Sequence, residues 1–182
     1  KQVRLPGDHL ALDLLAAATA ARLLGAPPEA IAAAVASFSG VEHVLERAAE
    51  IGGVLFFNDS KATNVDAAKK SLEAFSGPLL PILGGRYKGG DFALLRDILA
   101  RQGKAVFAIG EAKERIAEAL SSVLPVFACA ILAEAVELAF AEAEAGDTVV
   151  LAPGCSSFDM FRDYAHRGRA FKQEVQALAG RV

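Results

Sequence analysis

The residues able to do chemistry fall in three short polar stretches, each directly after an apolar run. The first, Asn58-Asp-Ser-Lys-Ala-Thr-Asn64, follows Val54-Leu-Phe-Phe57 and precedes a helical pattern from about Val65. A lysine flanked by an aspartate and two hydroxyls is more than a solvated loop requires. The same residues also read as a helix cap, at Thr63 or Asn64, beside two surface charges, Asp59 and Lys61. The second stretch is Leu83-Gly-Gly-Arg-Tyr-Lys-Gly-Gly90, followed by Asp91. Paired glycines let a backbone approach a ligand or turn sharply, and Arg86 and Lys88 place positive charge beside them, so this is an anion site or a turn capped by Asp91. The third is Leu151-Ala-Pro-Gly-Cys-Ser-Ser-Phe-Asp159, where Ser156 and Ser157 sit at a helix start whose free N–H groups suit a carboxylate. Ser157 is alternatively a plain helix cap. A serine nucleophile is disfavoured, because Gly154-Cys-Ser-Ser-Phe158 lacks the G-x-S-x-G elbow and no base is assigned to it.

Other chemistries find less support. Gly84-Gly85 lacks the dinucleotide spacing, and Gly103-Lys104 has Ile98 where a phosphate-cradling loop needs glycine. His9, His43 and His166 are too scattered for a metal cluster, and Cys129 and Cys155 add nothing tetrahedral. His166, beside Arg167 and Gly168, reads as a helix-end cation. The net charge of -3 is spread along the chain, so no basic face argues for nucleic acid or a membrane surface. No apolar run has membrane length, no secretory signal is present, and two cysteines fit a reducing, cytoplasmic setting.

Elements that position these stretches follow from periodicity. Strands are expected near 54–57, 79–83, 104–109, 125–128 and 147–152, and helices near 65–75, 91–101, 111–121 and 131–144, with two more after Phe158. The continuous Val, Ile, Leu and Phe runs predict a Rossmann-like three-layer α/β domain with a mostly parallel sheet, whose βα loops share one edge. Residues 41–50 read as an arm pairing back onto 53–57. Ahead of this lie two alanine-rich helices, Leu10 to Leu24 and Pro27 to Phe38, expected as a remnant of a preceding domain; a chain starting at Lys1 without methionine, with a turn at Pro6-Gly7, fits a fragment.

Taken together, Asn58–Asn64, Leu83–Asp91, Pro153–Asp159 and a closing Arg167-Gly-x-x-Phe171 resemble the C-terminal part of the Mur ligase family, its D-glutamate-adding branch most closely. The resemblance implies that 1–40 is the truncated end of a central ATP-binding domain and 41–182 the amino-acid-binding domain. It implies ATP-dependent, Mg2+-assisted formation of an acyl phosphate on UDP-N-acetylmuramoyl-L-alanine, then amide formation with D-glutamate, in cell-wall peptidoglycan synthesis. By the same resemblance Thr63, Lys88, Ser157, Phe158 and Tyr164 would bind D-glutamate, and Asn58, Asp59 and Lys61 would face ATP. Lys61, Asp59 and His43 would be the catalytic group, with no metal ligand in this chain. Leu10, Asp13 and Val44 depart from the family pattern on the nucleotide side. With N-terminal and central domains missing, the chain is expected to bind neither ATP nor Mg2+ tightly and to be inactive alone, with Lys61 solvated. The contrasting expectation is a non-catalytic Rossmann-like binding or interaction module.

Overall fold

The computed structural model describes residues 7–181, except the side chains of 8 and 9; the expected start at Lys1, the Pro6 half of the Pro6-Gly7 turn and the His9 side chain lie outside that description. Two helices come first, α1 (Asp8–Leu23) and α2 (Pro28–Ser37), and Pro28 at the first turn of α2 fits a position whose N–H would be unpaired anyway. No residue of α2 is buried, and among the described residues neither helix contributes to the hydrophobic core.

The remainder alternates strand and helix: β1 (Glu46–Ile51), β2 (Val54–Asn58), α3 (Val65–Glu73), β3 (Leu79–Gly84), a 3-10 turn at Phe92–Leu95 leading into α4 (Arg96–Gln102), β4 (Val106–Ile109), α5 (Lys113–Leu120), β5 (Val126–Ala128), α6 (Leu132–Glu142), β6 (Thr148–Leu151) and α7 (Tyr164–Ala179). The sheet order is β1-β2-β6-β3-β4-β5, with β1 antiparallel to β2 and the other pairings parallel. Every residue of β3, β4 and β6 is buried, as expected of parallel strands covered on both faces. One core holds Phe56, Ile82, Phe107 and Val149 from the sheet with Val136 of α6 and Phe171 of α7. The other packs Leu79, Leu83, Val106 and Val150 against Leu72, Leu95, Leu99 and Ile116 from α3, the 3-10 turn, α4 and α5.

Three expectations need correction. The arm does not pair from residue 41: regular pairing starts at Glu46, because His43 and Leu45 adopt positive φ of 66° and 42° and bend the chain first. The fourth strand begins at Val106 rather than at Lys104, whose ammonium is drawn to Glu144 and Asp147. Only one helix follows Phe158, because residues 158–163 form turns in which Ser157 O accepts the N–H groups of Met160 and Phe161, at 3.1 and 2.8 Å.

β6, last in the chain, enters the sheet between β2 and β3. The polar stretches after β2, β3 and β6 therefore leave three adjacent strands at one edge, where open α/β sheets place ligands.

Candidate functional site

At the end of β2, burial alternates so that Val54, Phe56 and Asn58 all face inward. The Asn58 amide donates to His43 Nδ1 at 2.9 Å and Glu46 Oε2 at 3.0 Å, and its oxygen accepts the Ser60 N–H at 3.2 Å. Because the amide nitrogen is the donor, His43 Nδ1 accepts and its proton resides on Nε2, a buried atom without a hydrogen-bond partner. Burial holds the His43 imidazole below its ordinary value, while Glu42 and Glu46 pull the other way and Lys172 and Arg169 add to the depression. His43 O in turn accepts the Lys61 N–H at 3.1 Å. Asn58 and His43, grouped in the sequence with nucleotide-facing and catalytic residues, thus lie enclosed beneath the loop and set its path.

Asp59 and Lys61 lie above them. Asp59 is 7% exposed, its carboxylate accepting the Leu45 N–H at 3.3 Å and its own N–H donating to Leu151 O at 2.9 Å. Lys61 is exposed, its ammonium 5.5 Å from the centroid of the Tyr164 ring. Both line a cavity of about 630 Å³ between this edge and α1, shared with Asp13, Phe38, Val44 and Lys70. Thr63 is half-buried, and Asn64 caps α3 by accepting the Ala67 N–H at 2.8 Å, so the capping role falls to Asn64.

The loop after β6 is joined to that after β3 by a backbone pair between Arg86 and Ser156, at 2.9 and 3.2 Å. The approach is so close that a Cβ on Gly85, at φ 132°, would stand 2.3 Å from Ser156 O. Ser157 is buried, whereas Phe158 is 62% exposed. Lys88 is exposed and takes part in no hydrogen bond or ion pair among the described residues. His166 Nδ1 accepts the Arg162 N–H at 3.3 Å, a local contact at the start of α7 that offers Ser157 no base.

Sequence reasoning missed the role of Arg167. It is fully buried; Nε donates to Ser60 Oγ at 3.0 Å, one terminal nitrogen to Ser60 O at 2.9 Å and the other to Cys155 O at 3.1 Å, while Ser60 Oγ donates to Tyr164 O at 2.7 Å. Burial lowers its pKa to about 10, so it remains a cation at neutral pH, with Asp159 the carboxylate whose field supports it. One guanidinium therefore joins α7 to the loops after β2 and β6. The signal was spacing: Arg167, Phe171, Val175 and Leu178 form one buried helical stripe. Gly168 belongs to the same contact, since a Cβ there would lie 2.3 Å from His43 Nδ1.

One acidic and histidine cluster, Glu42, His43 and Glu46, has ligand-like spacing among the described residues. It does not suit Mg2+. Lys172 Nζ already bridges Glu42 and Glu46 at 2.8 Å each, and Asn58 occupies His43 Nδ1. Cys155 is buried with its thiol pushed up to about 12, and Cys129 to about 11, so neither is a ready thiolate.

An open, mostly parallel α/β sheet with its polar loops gathered at a switch in strand order defines a Rossmann-like α/β domain. Residues 43–155 match the model of the Mur ligase glutamate ligase domain, and the chain belongs to the Mur ligase family. It is 47% identical over 177 residues to the UDP-N-acetylmuramoylalanine–D-glutamate ligase of Syntrophus aciditrophicus, and 51% identical over 179 residues to that of Acidobacterium capsulatum. The alignments cover 97% and 98% of this chain but 39% of each relative, so the chain spans about two fifths of the length of these curated relatives. Its fold is that of a pseudomurein peptide ligase type C from Methanothermus fervidus (TM-score 0.72, 15% identity, 97% of this chain and 37% of that one). It is also that of a Mycobacterium tuberculosis folylpolyglutamate synthase complexed with ADP (TM-score 0.67, 19% identity, 99% and 42%).

Two outcomes follow from the buried groups. Arg167→Met leaves Ser60 and Cys155 acceptors without their donor, and urea unfolding is expected to show a loss of about 2–4 kcal/mol; a change under ~0.5 kcal/mol would contradict the joining role. For His43, whose folded pKa lies below the ordinary 6.5, the unfolded chain takes up the proton first. Its contribution to stability is complete above about pH 6.5 and is lost as the pH falls toward the depressed folded value. Urea midpoints of the wild-type chain should decline from about pH 7 to 5.5 more steeply than those of His43→Gln; parallel profiles would rule this out.

Proposed function

We propose that this chain is the amino-acid-binding part of an ATP-dependent ligase that joins D-glutamate to UDP-N-acetylmuramoyl-L-alanine in peptidoglycan synthesis, a cytoplasmic step. The observation that carries the reading is the convergence on one sheet edge of Lys88, Thr63 and the Ser157-Phe158 turn, with Lys88 unpaired by any carboxylate among the described residues. An amino acid with two carboxylates calls for such a cation and for backbone N–H groups beside it. The names of the relatives supply the particular amino acid and acceptor.

Residues 41–182 would then be the amino-acid domain and 1–40 helices of the preceding ATP-binding domain, a division supported by the absence of α1 and α2 from the core. The Tyr164 ring would sit beside the substrate and Phe158 would flank it. On the cavity side, Lys61 offers positive charge to an anionic phosphate chain, with Asp59 beside it, while Lys70 is already paired with Glu73 at 2.8 Å. ATP supplies the activation: its terminal phosphoryl group goes to the acceptor carboxylate, and the amine of D-glutamate displaces it as phosphate, leaving an amide. Here His43 and Asn58 act indirectly, by fixing the backbone of Asp59 and Lys61. Mg2+ ligands would come from outside these residues.

Titration of the chain with D-glutamate, followed by NMR, should show saturable binding that is stronger than for L-glutamate and weakened about tenfold or more in Lys88→Ala. Without a phosphate-cradling loop, this chain should release no ADP from ATP in the presence of both other substrates. A folded chain indifferent to D-glutamate would instead favour a non-catalytic module, and substrate-dependent ADP release would refute the division of labour.

A further inference from the structure

The segment that presents Lys88 has four glycines at positive φ, at 84, 85, 89 and 90, and such a backbone has little intrinsic reason to hold one shape. Its first half is fixed by the Arg86–Ser156 backbone pair. The half beyond Lys88 is held differently, through Tyr87. The Tyr87 hydroxyl donates to Gly90 O at 2.9 Å, closing the segment on itself. The ring lies 6.2 Å from that of Phe92, which is part of the core, and on it rests the Arg115 guanidinium of α5, its central carbon 4.7 Å from the ring centroid. Among the described residues Arg115 takes part in no ion pair, and the neighbouring Glu111 is engaged with Arg86 at 3.6 Å, so the Arg115 charge is directed to the ring. Tyr87 is thus packed between the core and a cation, while the next residue, Lys88, is bare.

We propose that Tyr87 and Arg115 form a clamp that holds the glycine-rich loop in one conformation, making both positioning residues for the Lys88 ammonium and hence for a carboxylate of the amino-acid substrate. This rests on the reading of Lys88 given above and adds how its place is fixed. The gain is preorganisation: a lysine on a mobile loop must be ordered on binding, whereas a clamped one is ordered beforehand.

The experiment uses the 182-residue chain, wild type and with Tyr87→Ala, Tyr87→Phe, Arg115→Ala, Lys88→Ala and the Lys88→Ala/Tyr87→Ala pair, each checked for an unchanged melting transition. Backbone order parameters for residues 86–90 should be near ~0.85 in the wild type and fall toward ~0.6 in Tyr87→Ala. The D-glutamate dissociation constant should rise about fivefold in Tyr87→Ala and about threefold in Arg115→Ala, with Tyr87→Phe, which keeps the ring, closer to wild type. In the Lys88→Ala background Tyr87→Ala should add nothing, an outcome that a general loss of stability would not give. Order parameters unchanged by Tyr87→Ala, or an equal loss of affinity with and without Lys88, would overturn the clamp while leaving the amino-acid reading intact. A wild-type chain that binds no D-glutamate would overturn the amino-acid reading and the affinity half of this proposal together, leaving the order parameters to decide the clamp itself.

Discussion

The buried guanidinium of Arg167 holds the loop edge of the sheet together. Removing a guanidinium from water is costly unless its N–H groups find acceptors, and here the acceptors are Ser60 Oγ, Ser60 O and Cys155 O. Those atoms belong to loops that follow different strands, so each loop completes the environment that makes burial of Arg167 tolerable, and Arg167 makes each loop's conformation favourable. The dependence is mutual, which is why polar networks of this kind fix one arrangement rather than several. Gly85 and Gly168 belong to the same construction, since a side chain at either would collide with Ser156 O or His43.

Electrostatically, the edge is divided in two. Below the β2 loop, Glu42, Glu46, Lys172, His43 and Asn58 are joined in one network in which a single ammonium bridges the acidic pair and, of the buried side-chain atoms, only His43 Nε2 lacks a hydrogen-bond partner. Above it, Lys61 faces an aromatic ring and Lys88 faces solvent. Charge that is neutralised internally supports the fold, whereas charge held without a counter-ion is available to a ligand. The division separates His43 and Asn58, which are tied into the fold, from the two lysines, which under the proposed function would meet a ligand.

Much of this was legible in the sequence. The continuous apolar runs marked β2 to β6, and the rule that loops share the carboxyl edge brought Lys61, Lys88 and Ser157 together before any coordinates. The family resemblance rested on those same loops. Position in the sheet was less legible: nothing in Thr148–Leu151 says that it inserts between β2 and β3, since pairing partners are chosen by packing of whole faces. Polar residues inside the structure were misread for a similar reason. Asn58 continues the inward alternation of Val54 and Phe56, yet its type made it read as nucleotide-facing, and Arg167 continues the stripe of Phe171 and Val175, yet it stood only as part of a closing motif with no role of its own. The single helix after Phe158 was obscured because turns at 158–163 and a helix start draw on similar residues.

The placement of β6 also governs the order in which the molecule can be completed. β2 and β3, made early, have no pairing with each other and become neighbours only through a strand made some sixty residues after β3. Until that strand arrives, the growing chain holds two unsealed strand margins, and contacts of such long sequence separation are slow to form. Arg167, later still, closes the edge from α7. Emerging from a ribosome, this domain would therefore bring its three polar loops together only late, with the hydrophobic layers on either side already waiting for the strand that joins them.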